Sequence, residues 1–194
     1  MTAPADLSQW RKAQREALIA ARQAVPAEER THIAAEVAEA LDVLIAPGPG
    51  MVISLYWPFR GELDLRPWMA SAQARGAQLA LPLVTAKGQP LTFRAWWPGC
   101  TMERGIWNIL QPADTPELVP DVVIAPLVGF DPQGYRLGYG GGFFDRTLAG
   151  LGSGVRAVGV GHPGAAIDTI HPQWHDIPMN ATVTGRDRVL RHRW

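Results

Sequence analysis

Lysine is almost missing from this 194-residue chain, which holds only Lys12 and Lys87. Any phosphate or carboxylate site must therefore rely mainly on the planar fork of arginine. Cysteine is scarcer still, and the lone Cys100 excludes an internal disulfide. Net charge is absent too: eighteen basic residues cancel eighteen acidic ones, which argues against a broad electrostatic footprint for nucleic acid or an anionic membrane. A local basic pocket remains compatible with that balance. No uncharged apolar run approaches the roughly eighteen residues of a membrane-spanning helix. The first twenty residues carry Arg11, Lys12, Arg15 and Glu16 in place of an apolar signal core. A cytoplasmic protein with neither a membrane nor a nucleic-acid partner is expected.

What is present is apolar bulk. With 47% hydrophobic and 19% charged residues, the chain can bury a substantial core, and one domain over 1–194 is expected. Between about 6 and 45 the pattern is helical. Leu7, Trp10, Ala17, Leu18, Ala21 and Val25 recur at spacings of three and four behind a possible Asp6 or Ser8 cap. The other side of this helix aligns Arg11, Arg15 and Arg22 as a cationic ridge. A second helix should start near Pro26 and end before "PGPG".

From about 50 to 190 the texture changes to short apolar runs separated by turn residues. Strands are expected over 51–57, 77–84, 90–96, 121–130 and 155–162, with helices over 65–76 and 143–151. Continuous apolar strands alternating with helices suit a mostly parallel sheet covered on both faces, so the fold class is α/β, a three-layer α/β/α sandwich. The stretch 98–120 reads as a long ordered loop.

Residues 129–145, "GFDPQGYRLGYGGGFFD", put six glycines into seventeen positions between a strand and a helix. Gly138, Gly140, Gly141 and Gly142 could leave consecutive N–H groups free as an anion cradle at the helix start. Arg136 could add a bidentate charge, and Asp145 could bind a phosphate-bound Mg²⁺. A tight strand-to-helix connection explains the glycines equally well. No Lys-Ser or Lys-Thr follows, so this is not a Walker A loop.

A second constellation, "SLYWPFRGELD" at 54–64, ends a strand in three aromatics and a carboxylate. Trp57 and Glu62 could hold a flat heterocycle with ring N–H donors, and Trp107 could add a further face; ordinary core packing is the competing reading. Pro172 interrupts the His171–His175 pair as a helical metal spacing. Asp176 could join Asp145 at a cation or could simply occupy a turn.

"RLGYGGGFFD" resembles the R-L-G-x-G-x-G-[FY]-[FY]-D signature of the 5-formyltetrahydrofolate cyclo-ligases. The resemblance extends along nearly the whole chain through "ISLYWPFRGELD", "GIWNILQP", "DVVIAPLVGFD" and "HDIPMNATVTG". It implies a NagB/RpiA/CoA-transferase type of fold. It also implies closure of 5-formyltetrahydrofolate to 5,10-methenyltetrahydrofolate, driven by ATP with Mg²⁺ and releasing ADP and phosphate. By resemblance, ATP contacts fall on Arg11, Lys12, Arg15 and the loop Arg136, Leu137, Gly138, Tyr139, Gly140, Gly141, Gly142, Phe143 and Phe144. Folate contacts fall on Trp57, Glu62, Trp107 and Tyr139 to Phe143, with Arg136 and Glu62 the residues central to catalysis. Metal carboxylates fall on Asp145 and Asp176.

The chain departs from the family pattern in three places. Relatives often have lysine at Arg11, a tyrosine pair at Phe143 and Phe144, and a basic residue at Gly141; without those hydroxyls, no proton transfer can rest on the two phenylalanines. A non-catalytic paralogue, or a sugar-phosphate isomerase or CoA transferase on the same sandwich, stays open as an alternative. A monomer acting only on small molecules is expected.

Overall fold

The computed structural model describes residues 4–194, so the first three positions of the expected 1–194 domain lie outside it. Helix α1 (Leu7–Ala24) begins where the Asp6 carboxylate accepts the Gln9 N–H at 2.9 Å, the usual way of satisfying an orphan donor at a helix start. It ends at Val25, which is extended ahead of Pro26. Helix α2 (Ala27–Ile45) carries Glu28 and Glu29 in its first turn, where carboxylates favour the helix dipole, and closes on Ala46 in the left-handed region.

The sandwich then unfolds as β1 (Val52–Ser54), α3 (Arg66–Ala74), β2 (Gln78–Leu83), β3 (Thr92–Trp96), β4 (Met102–Arg104), β5 (Leu110–Pro112), β6 (Val122–Pro126), β7 (Gly129–Phe130), β8 (Arg136–Leu137), α4 (Phe143–Leu151), β9 (Arg156–Val160), β10 (Ala181–Val183) and β11 (Val189–Arg191). Seven strands form the main sheet in the order β11-β10-β9-β6-β1-β2-β3. The five inner strands are parallel, and β3 and β11 run antiparallel at the two edges.

Pleating sends alternate residues of each inner strand to opposite faces. Ile53, Val122, Ile124, Val158 and Val160 pack with Val37 and Leu41 of α2 and Met69 of α3. Val123, Ala125 and Ala157 pack on the other side with Leu148 of α4. Both faces are therefore covered, giving the expected three layers. Burying a side chain such as Ile124 or Leu41, each 0% exposed, contributes roughly 2–3 kcal/mol. Gly159 in β9 lets Leu127 and Met179 close over the strand, because a Cβ there would meet Leu127 Cδ2 at 2.8 Å.

Strands β10 and β11 were not expected from the sequence, and three of the segments that were read differ in the structure. The stretch 98–120 is not only loop: β4 and β5 form a hairpin with Met102 opposite Pro112 and Arg104 opposite Leu110. The 121–130 run divides, since β6 leaves the sheet after Pro126 and β7 pairs with β8 instead. The 51–57 run keeps only Val52–Ser54 as strand, freeing its aromatic end to line a cleft. That division matters for function. β1 leads by way of α3 to β2 on one side, and β6 leads by way of α4 to β9 on the other, so the carboxyl ends of β1 and β6 flank the switch point where doubly wound sheets bind ligands.

Candidate functional site

A cleft of about 590 Å³ opens at that edge. Its walls are the α1 residues Arg11 and Arg15, the segment after β1, the β4–β5 hairpin, the glycine loop and Asp176. Trp57, Glu62, Trp107 and every position from Arg136 to Asp145 border it, so the two constellations read separately in the sequence share one cavity. Lys12 is not brought in: its side chain is 75% exposed and lies 4.0 Å from Glu16 on the outer face of α1.

The glycine loop is set by what precedes it. Buried Asp131 accepts the N–H groups of Gln133 and Tyr135 through Oδ1 and that of Ile170 through Oδ2, each at 3.1 Å, which fixes the β7–β8 turn and ties it to the 170s segment. Beyond β8, Gly140 and Gly142 take φ of 93° and 64°, values that strain other residues. Gly142 caps α4 without a side-chain acceptor or donor, so the first-turn amides have no side-chain cap.

Arg136 is buried beneath this loop, at 5.1 Å from the Phe144 ring. Its Nη2 donates to Asp145 Oδ2 at 3.2 Å, whereas its buried Nε has no acceptor. Burial lowers its pKa and Asp145 opposes that shift. An unsatisfied buried guanidinium N–H beside uncapped helix amides is what an anion would complete.

The ridge on α1 turns inward rather than facing solvent. Arg11 donates to Asp176 Oδ2 at 2.6 Å, to His171 O at 2.9 Å and to Ile170 O at 3.1 Å. Arg15 Nε donates to Gly138 O at 2.8 Å. Burial would raise the pKa of Asp176, but Arg11 and the Gln173 N–H outweigh it and hold the carboxyl below its ordinary value. Arg22 leaves the ridge altogether and is buried 3.6 Å from Glu62.

Glu62 is placed by a tight turn. Its Oε2 accepts the Phe59 N–H at 2.9 Å, and its Oε1 accepts the Tyr139 hydroxyl at 2.8 Å. Burial pushes its pKa up to about 7, with Arg22, Tyr139 and Phe59 pulling the other way. Tyr139 is in turn shifted upward by burial and by Glu62, so its hydroxyl stays protonated at neutral pH. Trp107, held at a left-handed φ of 58°, meets Phe143 edge-on with ring centroids 5.7 Å apart and bounds the cleft from the hairpin side. Trp57 is covered by Arg66 at 4.9 Å. Tyr56 belongs to the core, its hydroxyl donating to Leu63 O at 3.1 Å.

With this geometry in place, comparison with known proteins decides the family. A profile of the 5-formyltetrahydrofolate cyclo-ligase family matches residues 7–185. The chain belongs to the 5-formyltetrahydrofolate cyclo-ligase family. It is 32% identical over 139 residues to the 5-formyltetrahydrofolate cyclo-ligase of Escherichia coli K12, covering 68% of this chain and 76% of that one. It is 25% identical over 176 residues to the Mycoplasma pneumoniae cyclo-ligase, covering 89% and 97%. Its fold superposes on the 5,10-methenyltetrahydrofolate synthetase of Aquifex aeolicus with a TM-score of 0.76 and 27% identity, covering 95% of this chain and 93% of the other.

Two residues that shape this cleft escaped the sequence reading. Arg22 looked like one member of a surface row, and only its burial against Glu62 shows otherwise. Asp131 lay inside the quoted glycine segment, yet its role as a triple acceptor depends on a segment 39 residues away.

Proposed function

We propose that the protein converts 5-formyltetrahydrofolate to 5,10-methenyltetrahydrofolate at the expense of ATP, with Mg²⁺. Membership of the cyclo-ligase family supports the folate conversion. The observation that carries the finer reading is that one loop serves both halves of the cleft. Gly138 accepts a hydrogen bond from Arg15 on the charged side, and Tyr139, the next residue, reaches Glu62 on the aromatic side. A nucleotide phosphate and a pterin would thus be held by adjacent residues, which is the proximity that group transfer requires.

A formamide oxygen is a poor leaving group. Transfer of the γ-phosphoryl group of ATP to that oxygen gives an iminium phosphate and ADP. N10 then attacks the formyl carbon, its proton passes to solvent, and departure of phosphate leaves the methenyl bridge. The protein's part is positioning and charge neutralisation: Arg11, Arg15 and Arg136 with the loop amides bind the phosphates, and Glu62 orients the pterin through its ring N–H donors. No strong protein nucleophile is needed. Asp145 fits a magnesium ion, because its two contacts, to Arg136 and to the Ile177 N–H, are both 3.2 Å and leave lone pairs on each oxygen. Asp176 is more fully engaged by Arg11 and Gln173. The ion would neutralise phosphate charge. Trp107 and Phe143 would shield the reacting centre from water.

The test is growth of the methenyl chromophore on mixing protein, 5-formyltetrahydrofolate, Mg²⁺ and ATP. Dependence on all three small molecules is expected; signal without ATP, or none with all three, refutes the proposal.

A further inference from the structure

The proposed reaction leaves one buried cation without a task. Arg22 is 4% exposed in the last turn of α1. Its Nε donates to Arg60 O at 2.8 Å, its Nη1 to Leu127 O at 3.3 Å, and its Nη2 to Phe59 O at 3.4 Å and to the Tyr139 hydroxyl. The same Nη2 is 3.6 Å from Glu62 Oε1, and the Glu62 side chain is itself 5% exposed. Desolvating a guanidinium and a carboxylate together costs several kcal/mol per ion before their attraction is counted, so such a pair is a poor device for stability alone.

We propose that Arg22 is a positioning residue for the folate half of the reaction, holding the Glu62 carboxylate ionised and aimed into the cleft. The inference rests on Glu62 being the pterin ligand, as proposed above. The fork does two jobs at once. It ties the turn at 59–62 to Leu127, just beyond β6, so the carboxylate keeps its place relative to the switch point. It also sets a fixed positive charge behind Oε1, while the Phe59 N–H secures Oε2. Only the ionised carboxylate accepts hydrogen bonds through both oxygens from two pterin donors.

The charge matters because burial works against it. Glu62 is pushed up to about 7, and Arg22 is the leading group restraining that rise. The neighbours cannot replace Arg22. Tyr56 and Tyr139 have raised pKa values and stay neutral. His162, which contacts Gly61 O at 2.9 Å, is held below its usual range by burial. Asp64 is held ionised mainly by its hydrogen bonds with Arg66 and adds only negative charge. Removing the Arg22 charge therefore raises the Glu62 midpoint further, and folate recognition at neutral pH suffers while ATP use does not.

The experiment is the pH dependence of kcat/KM for 5-formyltetrahydrofolate between pH 6 and 9 in wild type, Arg22→Met, Arg22→Lys and Glu62→Gln, with ATP saturating. In Arg22→Met the acid limb should move up by about one unit or more, giving a loss of roughly fivefold or more at pH 7 that is largely recovered at pH 9. The KM for ATP should change less than threefold, and Arg22→Lys should return the limb to within about half a unit of wild type. A loss in Arg22→Met that is equal at every pH, or a limb that does not move, overturns the proposal. Should Arg22→Met fail to fold, Arg22→Lys decides. A limb kept in place supports the proposal, and a pH-independent loss of folate use contradicts it. Glu62→Gln separates the two levels of inference: a folate KM equal to wild type there defeats the reading of Glu62, whatever Arg22 does.

Discussion

Gly138→Ala isolates the catalytic weight of Arg136 without touching the arginine. Gly138 does not have a positive φ, so the backbone accepts alanine. The obstacle is the side chain ahead of it: a Cβ at 138 would lie 2.7 Å from Arg136 Nη1, closer than real Cβ contacts allow. The far end of an arginine can yield, so the stability cost is small. An alanine that restricts the unfolded chain can even return about 0.4–1 kcal/mol. What yields, however, is the guanidinium that meets Asp145 at 3.2 Å and carries the orphaned Nε. Loss of one preorganised donor to developing charge costs about a hundredfold to a thousandfold in kcat, roughly 2.7–4 kcal/mol. The variant should therefore melt within about 4 °C of wild type while kcat falls about a hundredfold. Gly150→Ala is the control, since nothing lies within 4 Å of its Cβ and it sits exposed on α4; it should leave kcat unchanged. A Gly138→Ala enzyme with kcat within threefold of wild type refutes the role given to Arg136.

Tyr139→Phe removes the hydroxyl that donates to Glu62 Oε1 and helps keep that carboxylate ionised, so the KM for 5-formyltetrahydrofolate at pH 7 should rise about two- to tenfold, the equivalent of one modest hydrogen bond; a fall would show that the hydroxyl competes with substrate for the carboxylate. Asp131→Ala strips three backbone N–H groups of their acceptor and should cost about 3 kcal/mol in urea unfolding, with Asp131→Asn costing less. The Asp176 carboxyl is depressed in the folded state, Arg11 and the Gln173 N–H overcoming the effect of burial, so its contribution is full at neutral pH and is lost as pH falls through that lowered pKa. The stability gap between wild type and Asp176→Asn should accordingly be present at neutral pH and vanish in strong acid; a gap that widens in acid would contradict the ion pair with Arg11.

The layers were legible because their cause is local. Val122 to Ala125 is continuously apolar, and a strand buried on both faces must read that way, while residues 143–151 form the expected helix to the residue. The hairpin of β4 and β5 was not legible: three-residue strands carry no usable alternation, and nothing in that pattern announces the cross-strand pairs such as Gln111 Nε2 donating to Glu103 at 2.9 Å. At the site, the glycine loop announced itself through residues that only a strained backbone needs. Arg22 did not, because helical spacing places Arg11, Arg15 and Arg22 on one side, and only the fold decides which of them meets a carboxylate 40 positions away. Asp176 shows the converse, since "HDIP" gives no hint that Arg11 holds its carboxylate.

The most direct measurement is calorimetric titration of ATP with magnesium into the free protein. Saturable uptake at one site per chain is expected, weakened about tenfold or more by Arg136→Ala and unaffected by Gly150→Ala. Absence of saturable uptake, both with and without 5-formyltetrahydrofolate present, contradicts the assignment of the glycine loop as a phosphate cradle.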